Sequence, residues 1–161
     1  MYTTEALLDI HERTHQSLQK LMQHCERFSY EELNRNIDGF GLSAIRLQLY
    51  HMIAAEEYWV GVIKGAFDAD DHEDDYPDLE SLEKYRQNVV QLTRDYLRTA
   101  SEEEINTPRP MLTWQNKERI MAPAHIIVRT QTHIFQHLGQ ILAMCRVLGK
   151  PESWLAFPIT P

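Results

Sequence analysis

The sequence has 161 residues, a formal net charge of −8 at pH 7 and 43% hydrophobic residues, a balance that suits one globular domain with a sizeable core. The acidic charge argues against nucleic-acid binding, because phosphate contacts need clustered Lys and Arg side chains. No run of 18 or more apolar residues is present, so we expect no membrane span. Two cysteines and an N-terminus without a signal-peptide pattern favour a soluble cytoplasmic protein.

The first predicted helix begins after Thr3 or Thr4, either of which can act as the N-cap, and runs to about Arg27. It contains His11-Glu12-Arg13-Thr14-His15, which matches the zinc-protease motif H-E-x-x-H. No downstream H-x-x-G-x-x-H continues the motif, and no strand precedes the helix. We therefore interpret this segment as an amphipathic helix with partly exposed histidines, of which His11 could line a pocket.

The second predicted helix follows a connector over residues 28–42, with Ser43 as its N-cap, and runs to about Lys64. It is apolar almost all round, which is typical of the most buried helix in a bundle. His51 lies within it and is predicted to point inward, because its face carries Ala44, Leu47, Ala54, Ala55, Tyr58 and Val62. A single core histidine is more often hydrogen-bonded than a metal ligand, so His51 alone does not indicate a site.

Residues 65–78 form a carboxylate-rich segment whose spacing does not match a calcium-binding loop, so we predict a solvated connector. The third helix begins near Asp78 and continues to about Thr99. A capping box at Ser101-Glu102-Glu103-Glu104 predicts one short helical turn. Residues 111–121 then predict a small hairpin over one end of the bundle.

The last predicted helix begins at Pro123 and runs to about Leu148, before Gly149. His133 and His137 stand four residues apart, so their side chains lie one above the other, with Cβ atoms about 5–6 Å apart. They belong to a core-facing stripe at helical spacing, formed by Ile126, Thr130, His133, His137, Ile141, Met144 and Leu148. Histidines in such a stripe need partners for their ring nitrogens, and a metal ion is one such partner.

Inward residues of facing helices meet in a bundle, so His51, His133 and His137 are predicted to form a three-histidine set. Neutral imidazole suits Zn, Ni, Cu and Fe, and three protein ligands leave at least one position open, as in catalytic zinc sites. The alternative is that these histidines are only hydrogen-bonded, to Thr130, Gln140, Tyr58 or buried water. Periodicity alone does not separate the two interpretations.

The sequence resembles the DinB/YfiT-like metalloenzymes from about residue 4 to residue 150. The resemblance lies in Leu49-Tyr50-His51-Met52-Ile53-Ala54-Ala55-Glu56-Glu57-Tyr58-Trp59 and in His133-x-x-x-His137-Leu138-Gly139-Gln140-Ile141. Where the family often has a further histidine and an arginine beside the second of these histidines, this sequence has Gln136 and Leu138. These departures leave the three histidines in place and affect the residues around them.

The resemblance implies an all-α four-helix bundle with a crossover connection, a nickel or zinc ion held by His51, His133 and His137, and a homodimer. Characterised relatives include S-transferases and isomerases that use a low-molecular-weight thiol such as bacillithiol or mycothiol, and others have been called metal-dependent hydrolases. We therefore predict an enzyme with a small-molecule substrate, in which the metal activates a thiol or water, and a thiol S-transferase first of all. The alternatives are a metal-dependent hydrolase and, from another class, a non-catalytic metal-binding or interaction bundle.

Three further side chains are candidate catalytic helpers. Tyr58 and Gln140 lie near the histidines of their own helices, and Arg129, one turn before the histidine pair, could bind a substrate carboxylate. A core aromatic role for Tyr58 and a surface role for Arg129 are equally open. Cys25 and Cys145 each lie on a helical stripe, which predicts small core residues rather than nucleophiles.

Overall fold

The computed structural model describes residues 1–68, 70, 72–153 and 155–160. In chain order, its elements are α1 (Thr4–Cys25), α2 (Tyr30–Leu33), α3 (Ile45–Lys64), α4 (Leu79–Thr99), α5 (Glu102–Asn106), β1 (Arg109–Thr113), β2 (Lys117–Met121) and α6 (Pro123–Val147). The four long helices are α1, α3, α4 and α6, and the two antiparallel strands form a hairpin between α5 and α6. The prediction of an all-α bundle with a small hairpin before its last helix is confirmed.

The four long helices are arranged as a square. Helix α1 packs against α4 and α6, and α3 packs against the same two helices. Helices α1 and α3 therefore lie diagonally opposite each other, as do α4 and α6. Since α1 precedes α3 and α4 precedes α6 in the chain, both of these connections cross from one corner to the opposite one, which is the crossover topology that was predicted.

Most helix ends follow from local sequence. Thr3 caps α1, and Asp78 caps α4 through a capping box with Ser81 in which the carboxylate accepts the Ser81 backbone N–H at 2.8 Å. Gly149 follows α6 with a φ of +75°, a left-handed conformation that favours glycine. The helix starts and stops predicted at these three positions agree with the structure to within two residues.

The start of α3 differs from the prediction. Ala44, not Ser43, occupies the N-cap position, and no side chain caps this helix. The Ser43 hydroxyl instead donates to Asn36 Oδ1 at 2.9 Å, which ties together the two ends of the preceding loop. The predicted connector also contains the short helix α2, which Ser29 starts with a capping box that was missed.

The hairpin begins at Arg109, two residues before its predicted start. Its turn contains Gln115 and Asn116, both with positive φ, at 60° and 53°. Strand β1 buries Met111 and Thr113 against the bundle, whereas β2 is mostly exposed. At the tip of the hairpin, the backbone N–H of Trp114 donates to the Tyr58 hydroxyl of α3 at 2.8 Å.

The core consists of two apolar clusters, one around Leu18, Leu49 and Ile134 and the other around Leu7 and Ile127. On each long helix, buried polar residues lie between the segments that supply the two clusters. We call this set the polar layer, and it consists of His11, Thr14, His15, Glu56, Thr93, Thr130 and Gln131. A buried polar layer is stable only where its groups find partners, so its hydrogen bonds matter to the fold.

The prediction that the histidines of α1 are partly exposed is wrong. His11 is 0% exposed and His15 is 4% exposed. The physical reason is Glu56 of α3, whose carboxylate contacts both rings and so satisfies them inside the bundle. The α1 sequence alone could not show this partner, which comes from the diagonally opposite helix.

Cys25 and Cys145 are both buried, as predicted for core residues. In the acidic segment 65–78, Glu73–Asp75 form a 3₁₀ turn, while Ala69 and Asp71 lie outside the described residues. No helix in the described part of the chain combines the length and apolar character that crossing a bilayer requires.

Candidate metal centre

The three predicted ligands come together where α3 packs against α6. His51 Nε2 and His133 Nε2 are 3.1 Å apart. The ring of His137 lies 4.8 Å from that of His51 and 4.5 Å from that of His133, measured between centroids. One nitrogen from each histidine can be chosen so that all three lie within 4.8 Å of one another. The two-helix arrangement expected from the spacing is therefore observed.

The protonation of these histidines suits metal binding. Burial, and then the positive charges of neighbouring His137 and His51, lower the pKa of His133 to about 4. Burial also lowers the pKa of His137, with the charge of His51 as the second cause. At neutral pH both rings are therefore uncharged and each carries a nitrogen lone pair. Three converging imidazoles are a donor set that fits a divalent Zn or Ni ion.

Gln48, one turn before His51 on α3, fixes the orientation of His137. Its amide nitrogen donates to the Leu42 carbonyl at 2.8 Å and to Gln140 Oε1 at 3.0 Å, so its amide oxygen faces His137. That oxygen accepts a hydrogen bond from His137 Nδ1. Nδ1 therefore carries the ring hydrogen and Nε2 carries the lone pair, which is the arrangement that an outer partner gives to a ligating histidine.

A cleft of about 940 Å³ opens beside the histidines, and His51 and His133 form part of its wall. Aromatic side chains dominate this wall and come from α3, α4, the hairpin and the loops after α3: Tyr50, Tyr58, Trp59, Phe67, Tyr76, Tyr85 and Trp114. The volume lies near the upper end of the range typical of small-molecule sites, about 300–1,000 Å³. The geometry therefore places the imidazoles where a small organic molecule can reach them.

The structure brings two of the three predicted helpers to this cleft. Tyr58 lines it, with its hydroxyl accepting the Trp114 N–H. The Arg129 guanidinium also lines it and stacks over the Trp59 ring at 4.8 Å from the centroid. Gln140 does not line the cleft, and its side chain contacts Gln48 behind the histidines instead.

Two cleft residues were missed as site candidates. The Tyr85 hydroxyl of α4 donates to Glu57 Oε2 of α3, and both side chains line the cleft. Burial, and then this hydrogen bond, raise the pKa of Tyr85 far above its usual range, so the phenol stays protonated. Glu57 was visible in the sequence as a carboxylate six residues after His51, but its partner on α4 was not.

Comparison with protein-family models shows a match to the DinB family over residues 1–161. Among curated proteins, no sequence matches significantly. Because the family match covers the whole chain, this protein belongs to the DinB family, as the segments around His51 and His133 predicted.

Proposed function

We propose that this DinB-family protein is a metal-dependent enzyme that transfers a low-molecular-weight thiol to an electrophilic small molecule, with nickel or zinc held by His51, His133 and His137. The proposal depends on one observation, which is that the three imidazoles converge beside a cleft of about 940 Å³. A divalent ion in such a position is a Lewis acid that lowers the pKa of a bound thiol or water toward neutrality.

The protonation state and the ring orientation of the ligands suit metal binding even without an ion. Because His133 and His137 are neutral at pH 7, neither has to release a proton to bind an ion. Gln48 holds the His137 ring in one tautomer through Nδ1, so Nε2 is presented as the donor. The chain therefore supplies a preorganised donor set, which favours a functional site over three histidines that are merely packed.

The size of the cleft is compatible with a two-substrate transfer. A volume of about 940 Å³ is large enough for a small thiol and a small electrophile side by side. The rings of Tyr58, Trp59 and Trp114 contact one another in this wall and offer apolar surface to a bound substrate. A substrate that covers this surface would displace water and so protect an activated thiol from competition by hydroxide.

Charged groups at the cleft are suited to orienting substrates. The Arg129 guanidinium is exposed and rests on the Trp59 ring, so its N–H groups are available to a carboxylate of either substrate. The Glu57 carboxylate, fixed by the Tyr85 hydroxyl, is the candidate acceptor for the thiol proton. We assign Arg129 to substrate orientation and Glu57 to proton acceptance.

The test is a conjugation assay with a generic electrophile, metal-loaded protein purified without an affinity tag, and several cellular thiols. We expect thiol-dependent product formation by the wild-type protein. In His51→Ala and His133→Ala, product formation should fall to background and the bound metal should fall by one ion per chain. His125→Ala is the matched control, since His125 lies on α6 but is exposed, and it should retain both.

Two outcomes would contradict the proposal at different points. Electrophile turnover that needs metal but no thiol would exclude a transferase and favour the hydrolase. Unchanged metal content in His51→Ala and His133→Ala would exclude the three-histidine site itself.

A further inference from the structure

A second cluster of metal-ligating side chains lies in the polar layer. Its members are His11 and His15 of α1 and Glu56 of α3. One nitrogen from each ring and one carboxylate oxygen can be chosen so that all three lie within 4.8 Å of one another. None of these residues lines the cleft beside His51, so the cluster is distinct from the three-histidine site.

Glu56 is the centre of the cluster and is only 1% exposed. Its two carboxylate oxygens contact His11 Nε2 at 2.9 Å and His15 Nε2 at 2.8 Å. Thr93 Oγ1 of α4 donates to Oε1 at 2.7 Å, which fixes the carboxylate from a third helix. Metal sites in helical bundles are built in this way, from inward carboxylates and histidines on facing helices with hydrogen-bonded outer partners.

The distances within the cluster suit a small divalent ion. Metal–nitrogen and metal–oxygen bonds of about 2.1 Å would place the two ligand atoms about 3 Å apart at the right angles of an octahedral site, and about 3.4 Å apart at the tetrahedral angles that zinc prefers. The observed nitrogen–oxygen separations of 2.8 and 2.9 Å are close to the octahedral value and about half an ångström shorter than the tetrahedral one. Only small movements of the rings would therefore be needed to admit an ion.

Hydrogen bonds within the polar layer do not satisfy all of its groups. Among the described residues, His11 Nδ1, His15 Nδ1 and Gln131 Oε1 are buried side-chain atoms without a hydrogen-bond partner. Buried polar atoms of this kind are normally paired with protein, ordered water or an ion. These three atoms therefore leave the layer open to a further partner, such as water or an ion.

A route from solvent to the cluster exists on the α1–α4 side of the bundle. His15 lines a separate cleft of about 330 Å³ together with Glu12, Arg86 and Arg94. The carboxylate of Glu12 turns away from the cluster to pair with Arg94 at 3.1 Å. Of the H-E-x-x-H motif, the two histidines therefore belong to the cluster and the glutamate between them does not.

We propose that His11, His15 and Glu56 form a second binding site, for a divalent transition-metal ion, in the centre of the bundle. Two imidazoles and one carboxylate are a donor set used by zinc and by ferrous iron. Because the three side chains are almost completely buried, this ion would join α1 to α3 across the bundle diagonal and stabilise the fold. The proposal does not depend on the activity of the three-histidine site.

Cobalt(II) binding, followed by visible absorption and by elemental analysis, tests this site. The variant His51→Ala/His133→Ala should bind one ion per chain, and Glu56→Gln alone should also bind one, whereas the wild type binds two. The combination of all three substitutions should bind none. Glu12→Gln, added to His51→Ala/His133→Ala, is the matched control and should keep the single ion, because Glu12 is not in the cluster.

Circular dichroism and the unfolding midpoint establish that each variant is folded, and His15→Gln replaces Glu56→Gln if the latter does not fold. In the double histidine variant, cobalt should raise the unfolding midpoint. A folded double histidine variant that binds no ion would overturn the proposal and leave the cluster as a hydrogen-bonded bridge. Two ions retained by Glu56→Gln would also overturn it. If only the three-histidine site binds no ion, the wild type should instead bind one ion, and Glu56→Gln should remove it.

Discussion

At the scale of single residues, Gln48 connects the fold to the chemistry. Its amide oxygen accepts the His137 Nδ1 hydrogen, and no other arrangement of the amide satisfies the Leu42 carbonyl at the same time. We expect Gln48→Leu to weaken the metal affinity of the three-histidine site about 10- to 100-fold, while that site still binds its ion at saturation. Competition with a chromogenic chelator measures this affinity.

The matched control for that substitution is Gln23→Leu, at an exposed position of α1, which should leave the affinity unchanged. Equal affinities for Gln48→Leu and the wild type would show that the hydrogen bond does not orient a ligand.

The sequence predicted the site histidines but not the residues that support them. His133 and His137 could be found because their spacing and the apolar stripe are local properties of one helix. Gln48 and Glu56 could not be assigned, since each acts on a histidine from another helix and no local pattern shows which helices meet. For the same reason His11 and His15 were predicted to be partly exposed although they are buried.

At the scale of elements, the N-cap of α4 is a local device whose contribution can be measured. Asp78 accepts the Ser81 N–H at 2.8 Å and the Ser81 hydroxyl at 2.8 Å. We expect Asp78→Ala to lower the free energy of unfolding by about 1 kcal/mol, the usual cost of a lost cap. Urea denaturation measures the change, with Asp74→Ala in the preceding exposed turn as the control. A loss no larger than that of the control would show that the capping box does not stabilise α4.

Element boundaries were predictable where capping residues determine them. Thr3 and Asp78 marked helix starts correctly because their side chains accept backbone N–H groups of the first turn, and Gly149 marked a helix end because glycine adopts the positive φ found there. Ser43 was misassigned because Asn36, seven residues earlier, competes for its hydroxyl. That competition depends on how the loop folds back, which capping preferences do not describe.

At the scale of the whole molecule, buried tyrosines predict how stability depends on pH. Burial, and then the charge of Glu104, raise the pKa of Tyr96 to about 12, against about 10 in an unfolded chain. Between pH 10 and pH 12 the unfolded state therefore loses a proton that the folded state keeps. The contribution of the protonated Tyr96 phenol to stability is complete below pH 10 and is lost as the pH rises toward 12.

Denaturation midpoints between pH 8 and pH 11.5 should therefore decline above pH 10, and Tyr96→Phe should reduce the decline. Tyr30→Phe is the control, because Tyr30 is 59% exposed, and its decline should match that of the wild type. An identical decline in Tyr96→Phe would contradict the assignment of this pH dependence to Tyr96.

The bundle itself was predictable, because the four long amphipathic or apolar segments and the family resemblance both indicate a four-helix bundle. The polar layer that divides its core was not, because it is assembled from one to three residues of each long helix. The homodimer that the resemblance implies stays a prediction, as does the identity of the thiol.

The central claim is that His51, His133 and His137 hold a divalent metal, and anomalous diffraction tests it most directly. Crystals grown with zinc, measured above and below its absorption edge, should show an anomalous peak about 2.0–2.1 Å from one nitrogen of each histidine. The peak should disappear below the edge. Zinc-containing crystals without anomalous density between these three rings would contradict the claim.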